Sequence, residues 1–232
     1  RSLWILDDLS AVRAWSAETA AKPLHLFAPR VAQRLQLHRG WSSEAVGENP
    51  PRGATIHYSL ATKAAGEVTL EIFDGEGRRV RRMSSVPKPQ LFPEDDPDEP
   101  MKAPEAELAS AAGLHRAVWD LRWEGAARLE NAKIDLGDPT EGPLAVPGTY
   151  RLRLSADGRT EEATLSVLPD GRSRATAADR QAQLAFALEL RADLNRVVAD
   201  IGEVRAIQAQ EDDLAQRLVG DGRAAGLVAA AN

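Results

Sequence analysis

The sequence predicts a mainly β protein with an added α part, in which an antiparallel β-sandwich is followed by a long C-terminal helix or helical hairpin. Between Ala54 and Leu168, apolar and polar side chains repeatedly alternate with a period of two residues. This is the period of a strand that buries one face. From Thr176 onward, apolar residues follow a 3-4 spacing, which is typical of a helix with a heptad seam. The change of period separates a layered sheet body from a helical end.

A β-hairpin is the strongest local signal. Tyr150, Leu152 and Leu154 alternate with charged or polar residues, and Asp157-Gly158 follows them. This dipeptide favours a two-residue type I′ turn, because both central positions of that turn need positive φ angles. The second strand of the hairpin is expected from Arg159 to Leu168.

A further strand is expected in Gly113–Trp123. Val118, Leu121 and Trp123 are apolar beside charged neighbours and are predicted to face the core. The alternation slips at Trp119-Asp120, where a β-bulge is expected.

Three strands are expected earlier in the chain, at residues 54–61, 67–74 and 78–83. The last of them has one inward apolar position, Val80, and is rich in arginine: Arg78, Arg79, Arg81 and Arg82. Two interpretations stay open. The arginines form either the solvated face of an edge strand, where charge prevents edge-to-edge association, or an anion-binding patch.

The first 46 residues hold two short predicted strands, Leu3–Leu6 and Leu24–Phe27. They form either an N-terminal hairpin of this body or a strand pair that completes a sheet in preceding sequence. Because the chain begins in a strand-like segment and stops in an Ala-rich one, we expect it to be part of a longer protein. A proline-containing linker, residues 47–53, follows the two strands.

Two polar stretches, residues 84–112 and 124–142, are expected to be long loops. The first combines prolines with clustered carboxylates: Glu94, Asp95, Asp96, Asp98 and Glu99. Clustered carboxylates can bind Ca²⁺, although their spacing here lacks the positions of an EF-hand. The other interpretation is a solvated loop at the rim of the sandwich.

The helical end begins with Thr176 and Asp179, which stand at the spacing of a capping box. The predicted heptad seam consists of Ala187, Leu190, Leu194, Val197, Ile201 and Val204. Gly202 is a possible kink, and Gly220–Gly222 a possible hairpin corner. A helix of this length cannot bury its apolar stripe on a sandwich face alone, so we expect a second helix or another subunit to cover it.

Composition excludes several classes of function. The net charge of −6 argues against nucleic-acid binding, which needs a basic surface. The chain has no cysteine, which excludes disulfides and thiolate metal sites. No apolar run approaches the roughly 20 residues that cross a bilayer, so no membrane span is expected.

No catalytic, cofactor-binding or metal-binding residue is predicted. The four histidines, His25, His38, His57 and His115, do not share a metal-ligand or triad spacing. Asp7 and Asp8 form a carboxylate pair, but neighbours on a strand point to opposite faces and do not suit glycoside hydrolysis.

The segments Arg1–Ser10, Leu24–Arg30, Gly113–Arg122 and Gly142–Tyr150 resemble the C-terminal region of large bacterial exported proteins. Those proteins carry BNR- or sortilin-type β-propellers and are often labelled glycosyl hydrolase-like. The resemblance covers most of the chain apart from residues 84–112. It implies that residues 1 to about 30 close a propeller, that the protein is periplasmic or secreted, and that any active site lies on the propeller.

The part from Ala54 to Leu168 is similar to the Ig-like sandwich of flagellar hook-capping proteins. Comparable features are the Trp119-Asp120 pair and the Pro147–Tyr150 segment. This resemblance implies an Ig-like topology for the sandwich. It carries no catalytic residue onto this chain.

We therefore predict three parts: N-terminal strands that complete a missing propeller (1–46), an Ig-like β-sandwich (47–170) and a long helix or helical hairpin (171–232). The predicted function is that of a non-catalytic accessory module that supports the propeller and mediates protein–protein assembly through the seam.

Two alternatives remain. One is a carbohydrate-binding module attached to a glycosidase, which would present Trp41 or Trp123 to a glycan. The other is part of a propeller glycoside hydrolase that uses Asp7 or Asp8. No cofactor is expected in either case.

Overall fold

Two β-sheets and a long helix form the described part of the protein. The computed structural model describes residues 8–35, 52–88, 106–129 and 137–218. In chain order the elements are α1 (Ser10–Ala14), α2 (Ala17–Ala21), β1 (Leu24–Leu26), β2 (Ala32–Gln33), β3 (Ala54–Leu60), β4 (Thr69–Phe73), β5 (Arg79–Ser84), β6 (Gly113–Trp119), β7 (Gly148–Ala156), β8 (Arg159–Leu168) and α3 (Ala177–Leu218). The predicted combination of β-sheets with a long C-terminal helix is confirmed.

The strands divide into a three-stranded sheet in the order β1-β3-β6 and a five-stranded sheet in the order β2-β8-β7-β4-β5. All pairs are antiparallel except β2 with β8, which is parallel. The five-stranded sheet is therefore mixed, and the expectation of purely antiparallel pairing was wrong at this one edge. β2 is only two residues long and was not predicted.

The β7–β8 hairpin is confirmed in position and turn type. Asp157 and Gly158 have φ angles of 49° and 75°, and Ala156 pairs directly with Arg159. The Asp157 carboxylate also accepts hydrogen bonds from the backbone N–H groups of Ala65 and Gly66, at 3.1 and 3.0 Å. The turn residue thus favours the hairpin and also attaches it to a neighbouring loop.

The inner faces of both sheets share one hydrophobic core. Tyr150, Leu152 and Leu154 are buried as the alternation predicted, and they lie in one cluster with Ile56 of β3. Trp119 packs edge-on against Tyr150 with ring centroids 5.0 Å apart. Burial of large apolar and aromatic side chains from both sheets is the main force that holds the layers together.

The predicted strand Gly113–Trp123 is shorter than expected, because β6 ends at Trp119. Leu121 has a φ angle of 61°, a left-handed conformation that ends the strand instead of bulging it. Trp119, Leu121 and Trp123 are all buried, whereas Val118 is only partly buried. The prediction that Val118 faces the core was therefore wrong, and the slip in alternation marks a strand end.

The arginine-rich strand β5 lies at the edge of the five-stranded sheet. Val80 is fully buried as predicted, and Met83 is buried as well. The outer edge is partly covered, since the Val80 carbonyl accepts from Glu124 N at 2.8 Å and the Ser84 carbonyl accepts from Leu108 N at 3.1 Å. These bonds satisfy backbone groups that an open edge would leave free to pair with another strand.

The strands near the N-terminus belong to the two sheets. β1 pairs with β3, β2 pairs with β8, and Leu24, Leu26 and Ala32 lie in the common core. Residues 24–33 thus pack on the body, whereas Leu3–Leu6 and the predicted boundary at residue 46 lie outside the described residues. Completion of a propeller stays a prediction.

Both predicted loops are described only at their ends. Residues 89–105, with the carboxylate cluster considered for Ca²⁺, and residues 130–136 lie outside the described parts. Of the described ends, Leu108 and Ala126 are buried against the body.

α3 is a continuous helix of 42 residues, about 63 Å long at 1.5 Å per residue. The predicted cap is confirmed: Asp179 Oδ2 accepts from Thr176 N at 2.8 Å, and Thr176 Oγ1 accepts from Asp179 N at 3.1 Å. The helix runs through Gly202 without a break, and Gly220–Gly222 lies outside the described residues. Across the described ranges, no helix has the length and apolar character that a membrane crossing requires.

Candidate interaction site on the long helix

Among the described residues, the contacts between α3 and the body lie in the first half of the helix. Leu184 is buried in the common core, and Leu188 is partly buried against it. Arg191 Nη1 donates to the Glu124 carbonyl at 2.8 Å, and Asn195 Oδ1 accepts from the backbone N–H of Ala127 at 2.6 Å. Leu184, Leu188, Arg191 and Asn195 form the docking stripe.

The docking stripe combines apolar packing with polar anchoring. Its residues are spaced by four, three and four positions, which places them on one face of the helix. The Arg191 guanidinium also lies 5.9 Å from the centre of the Trp123 ring, at the outer limit of a cation–π contact. These contacts fix the rotation of α3 about its own axis.

This rotation leaves the predicted seam in solvent. Ala187 is partly buried, and the other five side chains are exposed by 36–54%: Leu190, Leu194, Val197, Ile201 and Val204. At 3.6 residues per turn, the centre of the seam lies about 120° around the helix from the centre of the docking stripe. The helix cannot bury both faces on one body.

Further exposed apolar residues of α3 were not singled out from the sequence. Phe186 is 69% exposed, Ile207 55% and Leu214 57%. Phe186 lies directly before the first seam residue, Ala187. Ile207 follows Val204 by three residues, whereas the next step of the 3-4 alternation would be four residues, so Ile207 does not continue the seam. Their apolar character is visible in the sequence, but at positions outside the strict heptad spacing.

The four arginines between residues 78 and 82, at the start of β5, do not form an open anion site. Each guanidinium has a carboxylate partner within 3.2 Å, in the pairs Arg78–Asp74, Arg79–Glu71, Arg81–Glu107 and Arg82–Glu67. Hydrogen bonds from Ser84 and Arg82 lower the pKa of Glu67, which keeps it ionised as a partner. The solvated edge strand is the interpretation that these contacts support.

A small cavity lies between the β4–β5 turn, the loop before β7 and the start of α3. Its volume is about 230 Å³, below the roughly 300 Å³ at which ligand pockets begin. Two of the polar groups that line it have partners: Arg78 Nε donates to Asp74 at 2.8 Å, and the Tyr150 hydroxyl donates to the Val146 carbonyl. Ionisable groups do not converge on an open position here.

The tryptophans of the body are not arranged to stack a sugar. Trp119 is 1% exposed and Trp123 4%, so Trp123 lies in the core as predicted and does not face a glycan as the carbohydrate-binding alternative requires. Trp15 is exposed but stacks against Phe27 at 6.1 Å. Trp41 lies outside the described residues, and the carbohydrate-binding alternative now depends on it.

Asp8 has a structural environment, while Asp7 lies outside the described residues. The Asp8 carboxylate accepts from Ser10 N at 2.8 Å and lies 4.0 Å from both His57 Nδ1 and Arg30 Nη1. Burial acts to raise the pKa of Asp8, but the Ser10 hydrogen bonds and the charges of His57 and Arg30 together hold it below its ordinary value. A general acid in glycoside hydrolysis needs a raised pKa, so Asp8 fits that role poorly.

The histidines within the described residues do not converge. His25 Nδ1 lies 3.7 Å from Glu161, and His115 Nε2 lies 2.6 Å from the Ala111 carbonyl. Burial lowers the pKa of His57, and the charge of Asp8 opposes this effect. In the parts of the chain that the structure describes, no cluster of three potential metal-ligating side chains occurs. His38 lies outside those parts.

The geometry therefore singles out the seam as the surface without a partner in this chain's described residues. A comparison with protein-family models and with curated proteins finds no match to the sequence.

Proposed function

We propose that this chain is a non-catalytic accessory module that mediates protein–protein assembly through the exposed seam of α3. The observation that carries the proposal is the 36–54% exposure of Leu190, Leu194, Val197, Ile201 and Val204 on a helix already anchored by another face. Contiguous exposed apolar surface of this kind is typical of interaction sites. Heptad spacing is the pattern with which helices pack against other helices.

Within this proposal the body is an Ig-like sandwich that holds the helix in place. The order β1-β3-β6 corresponds to strands A, B and E of an Ig domain, and β8-β7-β4 corresponds to G, F and C. Tyr150, near the start of β7, donates its hydroxyl hydrogen bond to Val146, four residues upstream. This contact resembles the tyrosine corner of Ig-type domains and supports the assignment.

The support of a β-propeller, in an exported bacterial protein, is the second part of the proposal and rests on the resemblance. Exposed apolar side chains near the N-terminus favour contact with a neighbouring domain: Leu9 is 43% exposed, Val12 53% and Trp15 41%.

Thiol reactivity in the longer parent protein tests the assembly function. Val197→Cys and Ala199→Cys place a thiol on the seam and on an exposed position away from it, and labelling is read by mass spectrometry on peptides of this otherwise cysteine-free chain. We expect a maleimide to label Val197→Cys much more slowly than Ala199→Cys when the seam is covered. Equal labelling rates at the two positions would overturn assembly through the seam.

A further inference from the structure

We infer that the partner of the seam is a second copy of this chain, with the two α3 helices side by side and parallel. The inference rests on the proposed function, assembly through the seam, and adds the identity and direction of the partner. The seam residues alternate between the two core positions of a heptad, a and d, in the order Ala187, Leu190, Leu194, Val197, Ile201 and Val204.

The charges that flank the seam distinguish the two possible directions. Asp193 and Asp200 lie on one flank, at heptad position g, and Arg191 and Arg205 lie on the other, at position e. In a parallel pair, position g faces position e of the following heptad in the other helix. Asp200 of each copy therefore faces Arg205 of the other, which is an attractive pair.

An antiparallel pair over the same seam brings like flanks together. It places Asp193 opposite Asp200 twice, by symmetry, so this flank carries repulsion, while Arg191 faces the uncharged Val198 on the other flank. The charge pattern thus favours self-association in the parallel direction.

The position of the body is compatible with this arrangement. The docking stripe lies about 120° around the helix from the seam. In a parallel pair related by a two-fold axis, the two bodies lie at the same end of the pair but on opposite sides of it. The face of each helix that its own body covers is therefore not the face that the other helix would cover.

Disulfide mapping tests both the partner and the direction. The variants are Leu190→Cys and Ile201→Cys, at a d and an a position that lie opposite each other in an antiparallel pair over the seam but 11 residues apart in a parallel one. Under mild oxidation by a glutathione buffer, we expect each variant alone to form a covalent dimer. We expect the mixture of the two to give no cross-linked heterodimer. Ala199→Cys, away from the seam, is the matched control and should stay monomeric.

The opposite pattern, with linkage only in the mixture, would overturn the parallel direction. No linkage in any sample would overturn the second copy as the partner, and slow labelling of Val197→Cys in the longer protein would then leave the proposed function in place.

A charge exchange provides an independent check by sedimentation. Asp200→Arg should weaken association several-fold, and Asp200→Arg combined with Arg205→Asp should restore it.

Discussion

Replacing Leu184 by alanine tests whether the long helix is anchored as described. Leu184 is 4% exposed, lies in the common core and borders the 230 Å³ cavity beside Tyr150. Leucine-to-alanine changes in cores cost about 2–5 kcal/mol, and the cost is highest where a closed void remains. Because this side chain borders an open cavity, water can occupy the space it leaves. We therefore expect a loss near the lower end, about 2 kcal/mol in the free energy of unfolding.

The assay is urea unfolding followed by tryptophan fluorescence, at a protein concentration low enough to keep the chain monomeric. Leu190→Ala is the matched control, since it makes the same change on the same helix at a side chain that is 52% exposed. We expect this control to change the free energy of unfolding by no more than about 0.5 kcal/mol. Equal losses for the two variants would refute anchoring through Leu184.

Three further predictions concern the body. Burial raises the pKa of Tyr150 to about 12, so its hydroxyl stays protonated and donates to the Val146 carbonyl. Tyr150→Phe should lower the free energy of unfolding in urea by about 1–3 kcal/mol, because it leaves that carbonyl without its hydrogen-bond donor. An unchanged urea midpoint would contradict this. Burial lowers the pKa of His57, so the folded state binds fewer protons than the unfolded state. The contribution of His57 to the free energy of unfolding is therefore complete above about pH 6.5 and declines as the pH falls through the folded pKa. His57→Gln should make urea midpoints fall less steeply across that pH range. An unaltered pH dependence would refute the assignment. Gly158 has a φ angle of 75°, so Gly158→Ala should destabilise the protein by about 1 kcal/mol in thermal unfolding. Gly171 has open space around it and no positive φ, so Gly171→Ala should be nearly neutral. Equal effects of the two substitutions would argue against the turn geometry.

The features that the sequence predicts well are those set by neighbouring residues. The Asp157-Gly158 turn fixes its own φ angles, and the alternation of Tyr150, Leu152 and Leu154 needs only a sheet to pack against. The cap formed by Thr176 and Asp179 is equally local, because its hydrogen bonds join residues three positions apart. These features depend on residues that are close in sequence and not on contacts with distant parts of the chain.

The features that the sequence does not predict depend on distant partners. The docking stripe mixes apolar and polar residues, and Arg191 and Asn195 acquire their role only from backbone groups of residues 124 and 127. The slip at Trp119-Asp120 predicts a bulge instead of a strand end, because the sequence does not show that Leu121 adopts a left-handed φ. The two-residue strand β2 is too short to leave a periodic signal.

For the candidate site, the seam itself was visible in the heptad spacing, whereas its exposure was not. Exposure follows from the rotation of α3, which the docking stripe sets through contacts with the body. A helix that buried Leu194 against its own domain could carry the same heptad spacing, so the spacing alone does not show whether the seam is exposed. The structure adds the exposed faces of Leu194 and Ile201, 42% and 36%, to the sequence pattern.

The mass of the chain in solution tests the central claim most directly. Light scattering should compare the unmodified chain with Leu194→Glu/Ile201→Glu on the seam and with Ala199→Glu/Ala206→Glu, which adds the same charges at the same spacing away from it. We expect the unmodified chain and the control pair to associate and the seam pair to be monomeric, with helical circular dichroism retained. An identical mass for all three proteins would contradict the claim that the docked helix assembles through its seam.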